Sequence, residues 1–392
     1  MPFTGKATFT AGTDLPELVD DVSDVIGIVS PFETPLLDHI GDPKHAAAST
    51  IHEWIEDVLL PNIDSVNQSS FSPNATDATA ITVANGSRFR VGDQVKPDGA
   101  REVMLVTAIA TNVLTVVRRY GATPGSALAN AQRLFILGNA AIEGDDRPAT
   151  QYTSRTRKRN YTQIFTSSVE VSGSMQAARR HALPGIGAEA DYQKQERLRE
   201  LLRDLENCVI NGVAPAANPQ GSASIRRTMN GIIPSITTNI FVPNSGGMPA
   251  GGGSGTTLNE TLLNAALRAV WDQSAGTIDT IVCGGFQKRK VNEFLSNSRL
   301  YAGSADKLTS LINLYESDFG LQRIVLSRWV PADTILFLDS SRLQVMPLQS
   351  RSFHYKPLAA TGDSETGMVL GEYTLEIKNE NAHAMLRGLA TS

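Results

Sequence analysis

Cysteine is nearly missing from this chain: 392 residues contain two, Cys208 and Cys283. No disulfide framework is possible, and both thiols are expected free, in a reducing compartment. Long apolar runs are missing too. None reaches the ~20 residues that a membrane-spanning helix needs, and Met1-Pro2-Phe3-Thr4-Gly5-Lys6 lacks the apolar segment of a secretory signal. No excess of one charge marks the chain, with 35 basic against 40 acidic residues and a net charge of −5. With 41% hydrophobic residues, that excludes a disordered polyelectrolyte. Lysine is scarce, at 10 against 25 arginines. Arginine is the cation favoured at protein contacts, because its planar fork pairs carboxylates bidentately and sheds water at lower cost.

The signatures of catalysis are absent as well. No Gly-x-Ser-x-Gly elbow and no Gly-x4-Gly-Lys-Ser/Thr phosphate loop occurs. The six histidines, His39, His45, His52, His181, His354 and His383, show no metal-ligand spacing, so neither metal nor cofactor is expected. Cys283 and Ser364 are the only side chains resembling nucleophiles. The first reads as core and the second as a turn residue. Arg155-Thr-Arg-Lys-Arg159 is a basic run, but only Tyr152 and Tyr161 flank it, in a chain of net acidic charge. Specific nucleic-acid binding is therefore disfavoured.

What is present is an uneven succession of patterns. Residues 1–48 read as an arm: an acidic amphipathic stretch (Leu15, Leu18, Val19, Val22, Val25, Ile26) broken by Ser30-Pro31 and Thr34-Pro35, then a short helix over 36–40. A strand over 49–58 leads into a polar connector, 61–78, too poor in apolar residues to form its own core. From 79 to 140, short β runs alternate with turns at Asn85-Gly86, Pro97-Asp98-Gly99 and Thr111-Asn112, predicting a small antiparallel barrel. Extended sequence returns over 141–172. Over 188–211, Leu198, Leu201, Leu202, Leu205, Cys208 and Val209 recur at helical spacing, and Gly212 stops the helix. An α/β pattern follows. A helix opens at a capping box, Thr257 to Glu260, and a strand over 278–283 precedes a helix over 286–300. Further strands are expected over 322–326, 334–338, 343–346, 368–378 and 382–389.

Several stretches, in order, resemble the major capsid proteins of tailed bacteriophages. They are Ile26-Gly-Ile-Val-Ser-Pro-Phe-Glu-Thr-Pro-Leu-Leu37 with Glu53-Trp54; Val91-Gly-Asp93 with Glu102–Val106, Leu114–Arg118 and Gly121-Ala-Thr123; Glu143-Gly144, Asn160–Phe165, Val171-Ser-Gly173 and Asp204-Leu-Glu206; and Leu358, Gly362-Asp363 and Tyr373–Glu376 with Asn379–His383. The resemblance is to the subfamily with the Hong Kong 97-type fold and a β-barrel in its extended loop. It implies an α+β subunit. The N-terminal arm spans 1–48, the loop legs span 49–78 and 141–172, and the inserted barrel spans 79–140. A peripheral domain covers 173–215 and 346–392, and an axial domain covers 216–345.

The implied function is structural, not enzymatic: self-assembly into an icosahedral head around double-stranded DNA, in the virion. Its partners would be other copies in hexamers and pentamers, with scaffold, portal or decoration proteins as further classes. DNA would be met only by non-specific proximity, and no membrane is involved. The alternatives are a β-barrel binding or head-decoration protein and, behind it, a cytosolic hydrolase. No removable scaffolding segment is evident before the loop, so no maturation cleavage is expected. Lys96 has no neighbours marking it for an isopeptide crosslink. Candidate contacts between subunits are Arg155, Arg157 and Arg159, which alternate onto one strand face. Opposite them the sequence offers Asp14, Glu17, Asp20, Asp21 and Asp24 on the arm and Glu196, Glu200 and Glu206 on the long helix.

Overall fold

The computed structural model describes residues 34–43, 45–57, 61–144, 155–177, 189–244, 247–273, 276–297, 314–359 and 362–391. The arm segment with Asp14, Glu17, Asp20, Asp21 and Asp24 lies outside them. In chain order the elements are α1 (Pro35–Ile40), β1 (Ile51–Glu56), β2 (Ile63–Ser65), β3 (Ala80–Thr82), β4 (Asp93–Pro97), β5 (Met104–Ala110), β6 (Val113–Val117), β7 (Arg133–Asn139), β8 (Thr156–Tyr161), β9 (Gln163–Ser172), α2 (Gly173–Ala177), α3 (Glu189–Asn211), α4 (Ile232–Ser235), β10 (Ile240–Phe241), α5 (Glu260–Gln273), β11 (Thr280–Cys283), α6 (Gly285–Asn297), β12 (Leu314–Ser317), β13 (Gly320–Leu326), β14 (Ile335–Leu338), β15 (Leu343–Pro347), β16 (His354–Pro357), β17 (Ser364–Ile377) and β18 (Ala384–Leu386). Two compact units result, 1–54 with 158–392, and 55–157. The chain leaves the larger unit through β1 and returns through β8, and these two strands pair as a ribbon.

The larger unit holds two sheets. One has the order β10-β18-β14-β11-β13-β12 and mixed strand directions. Its central strands, Thr280-Ile-Val-Cys283 and Ile335-Leu-Phe-Leu338, are buried at every position, because apolar cores lie on both faces of the sheet. Leu262, Leu263, Ala266, Leu267 and Val270 of α5 cover one face. That helix begins two residues later than its sequence suggests. The Asn259 side chain, not Thr257, caps it by accepting the Leu262 amide at 2.8 Å.

The second sheet is organised on β17, which pairs with β15 and β16 along one edge and with β9 over ten residues along the other. Two glycines in β17 are required by aromatic rings that cross the strand. A Cβ at Gly371 would lie 2.5 Å from the Phe353 ring, and one at Gly367 would lie 2.1 Å from the Tyr355 hydroxyl. The stripe of α3 packs with this sheet into one core, Leu201, Leu205 and Val209 meeting Phe165, Val369 and Leu375.

The smaller unit carries a six-stranded antiparallel sheet of order β2-β7-β4-β5-β6-β3. A bridge between Val66 and Val83 joins its two end strands just beyond β2 and β3. The sheet therefore draws its first strand from 63–65, within the stretch read from sequence as a polar connector. Val66 and Phe71 of that stretch pack into the core with Ile81, Val95, Met104, Leu114 and Leu134. At its rim Glu102 is fully buried and receives Arg118 through two hydrogen bonds, of 2.8 and 2.7 Å. Arg118 also donates to the carbonyls of Ala78 and Ser126, so no buried charge is left unpaired.

Candidate assembly surfaces

The basic run forms the outer part of β8. Residues 155–159 are exposed, whereas Asn160 and Tyr161 are buried. Asn160 fixes the strand's inner end. Its amide donates to the carbonyls of Asn230 and Leu375, and its oxygen accepts the Asn230 and Tyr161 amides. The charged side chains thus project from an anchored strand. Arg155 reaches Asp57 at only 3.8 Å, between two exposed side chains, and the Arg159 guanidinium lies 6.0 Å from the Tyr161 ring centre. Contacts this open contribute about 0–1 kcal/mol each.

The partner strand β1 is pinned by His52, which hydrogen-bonds Glu376 on β17 and stacks on Trp54 with ring centres 5.7 Å apart. That bond to His52, with Lys378 beside it, holds the Glu376 carboxyl below the usual range despite burial.

The carboxylates proposed from sequence divide into two groups. Glu196 and Glu200 are on the surface of α3 and already pair along it, with Arg199 at 2.5 Å and Arg197 at 2.6 Å. Such i,i+3 pairs are weak and can be exchanged for other partners. Glu206 points the other way. It is fully buried, and its two oxygens accept the backbone amides of Leu36 at 3.0 Å and Leu37 at 2.9 Å. It caps the first turn of α1 from a helix 170 residues away. Burial pushes its carboxyl up to about 7, against the two amides. Sequence reasoning placed this residue among surface acids. The available signal was its position four residues after Leu202 and three before Val209, on the apolar stripe.

The side chains that resemble nucleophiles are unsuited to that chemistry. Cys283 is fully buried on β11, and burial pushes its thiol up to about 12, so it stays protonated at neutral pH. Cys208 is half-buried, its sulfur accepting from Gln163 at 3.4 Å. Ser364 opens β17 and donates to Glu170 at 3.0 Å. Among the described residues no group of three or more His, Cys, Asp or Glu could hold a metal ion, and no helix is long and apolar enough to cross a membrane. Lys96 is half-buried on β4, opposite Phe135 on β7.

Comparison with known proteins agrees with this picture of a structural subunit. A curated major capsid protein of Pseudomonas phage PaMx41 is 28% identical over 104 residues, 26% of this chain. That match spans about a quarter of the relative's own length. Among solved structures, the capsid of a native GTA particle, computed with C5 symmetry, superposes with a TM-score of 0.53 at 10% identity, covering 98% of this chain and 99% of that one. A chain from Microbacterium phage Oxtober96 gives 0.49 at 13% identity, covering 94% and 95%. The fold is of the Hong Kong 97 type. The family model described as SU10 major capsid protein matches residues 3–390, so the chain belongs to that family of structural capsid subunits.

Proposed function

We propose that this chain is the shell-forming subunit of a phage head, assembling with copies of itself as hexamers and pentamers around double-stranded DNA. The family match over 3–390 carries this reading. Residues 1–48 act as the arm, and the unit at 55–157 is an extended loop bearing an inserted β-barrel. The peripheral domain, read from sequence as 173–215 and 346–392, holds α3, β16 and β17, and its sheet also takes in β9 from the loop leg and β15; the axial domain, read as 216–345, holds β10 to β14 with α5 and α6, and β18 from the C-terminal stretch pairs into its sheet. Scaffold, portal and decoration proteins are the other partner classes of such a shell. A net charge of −5 suits a wall beside packed DNA, which a strongly basic wall would retain.

Arg155, Arg157 and Arg159 are the residues through which one subunit grips the next. Like charges on an exposed strand repel one another, and a neighbour's carboxylates relieve that repulsion. Their candidate partners are Asp20, Asp21 and Asp24 of the arm and Glu196 and Glu200 of α3. The test is Arg157→Glu, scored by sedimentation and electron microscopy. Loss of shells with unchanged melting of the free subunit supports the reading, and normal shells overturn it.

A further inference from the structure

The smaller unit has one sheet face that departs from the usual alternation of apolar inside and polar outside. Every residue of β3, β5 and β6 is uncharged, including those that point away from the core. On β6, Leu114 and Val116 are buried, while Val113, Thr115 and Val117 point outward, with Val113 37% and Val117 48% exposed. The register places Thr115 between Ala80 of β3 and Ala108 of β5, both exposed, and Val113 beside Ala110. The charges that follow β6 are already matched: Arg118 turns inward to Glu102, and Arg119 meets Asp77 at 2.6 Å. Other solvent-facing strands do carry charge, β7 at Arg133 and β8 at Arg157, Lys158 and Arg159.

Depletion of charge, more than hydrophobicity as such, marks the centre of a protein–protein contact. The kind of partner follows from the same property. Where two copies of one surface meet, each residue near the symmetry axis faces its own counterpart, so a charge there repels itself. A face without charge is free of that penalty, and the alanines on either side of Thr115 let a second sheet come close. The three strands cover about 250 Å², well short of the ~800 Å² per partner in a stable free dimer. Such a contact holds only where other contacts already bring the copies together, as in a shell.

We propose that the outward face of β3, β5 and β6 pairs with the same face of a second copy across a two-fold axis, a contact made in the assembled particle and absent from the free subunit. It rests on the reading of this chain as a shell subunit.

Thr115→Cys tests it, as assembled particles and as free subunits. Both are treated with a bismaleimide spanning about 10 Å, the usual separation of packed sheets. The unaltered chain is the control for Cys208 and Cys283. Dimers on a denaturing gel should be about tenfold more abundant from shells than from free subunits at equal concentration. Shells that yield no such dimers overturn the contact and leave the shell reading standing, whereas failure of the unaltered chain to form shells overturns both. A product joining Thr115→Cys to a different phage protein overturns the second copy as the occupant. Charge supplies a second readout. Thr115→Glu and Thr115→Lys should each shorten particle lifetime in denaturant, with the melting of the free subunit unchanged, and particles mixed from the two should outlast either alone. Lifetimes equal to the unaltered particle's in all three overturn the two-fold contact.

Discussion

At the scale of single residues, two buried carboxylates show how the same group is handled in opposite ways. Burial would raise the pKa of Glu102, but Arg118 and the amides of Ser126 and Arg119 outweigh it and hold the carboxyl at about 2. A depressed value means that its stabilisation is full above about pH 4.5 and is lost as pH falls through about 2. Arg118→Ala leaves a buried charge unpaired and should cost about 3–5 kcal/mol in chemical unfolding at pH 7.

Glu206 behaves in reverse, because its carboxyl is raised from 4.5 to about 7. Its contribution is full below about pH 4.5 and is lost as pH rises through about 7, by about 3 kcal/mol in all. Glu206→Gln removes the titration and weakens one amide bond, for about 1 kcal/mol. The melting temperature of the unaltered protein should therefore fall relative to that of Glu206→Gln as pH rises from 5 to 8, and end below it. Parallel curves would show that Glu206 does not titrate there.

At the scale of elements, the longer helices α3, α5 and α6 were the legible part, while the short α2 and α4 were not. The spacing of Leu198, Leu201, Leu205 and Val209 locates α3 almost to its ends, because one apolar face against a sheet imposes the 3.6-residue period. The buried strands β11 and β14 were legible as unbroken apolar runs. What escaped sequence reading depends on pairing. β12 and β16 are short and half-exposed, and they are strands only because β13 and β17 lie beside them. β2 was hidden in a polar stretch because three residues carry too little pattern to be distinguished from a loop.

The aromatic crossings of β17 escaped for the same reason, and they give an element-scale prediction. Gly371→Ala places a methyl against the Phe353 ring and should destabilise the subunit by about 1–3 kcal/mol in thermal unfolding. In a Phe353→Ala background the same change should cost far less, giving a clear coupling in a double-mutant cycle. Additive effects would mean that the ring gives way freely.

At the scale of the whole molecule, composition had already excluded a disulfide scaffold, and no apolar run was long enough for a membrane-spanning helix. The order of weak motifs along the chain carried the capsid resemblance, and the family match over 3–390 agrees with it. The candidate contact residues were only partly legible. The arginines were visible as an alternating run. The inward turn of Glu206 exists only once distant segments are brought together. The central claim is that this chain builds a closed shell from itself. Electron cryo-microscopy of particles from cells expressing it, with neighbouring phage genes where needed, tests that directly. Closed icosahedral shells whose subunits trace the fold described above are predicted, and a monodisperse monomer under every such condition would contradict the account.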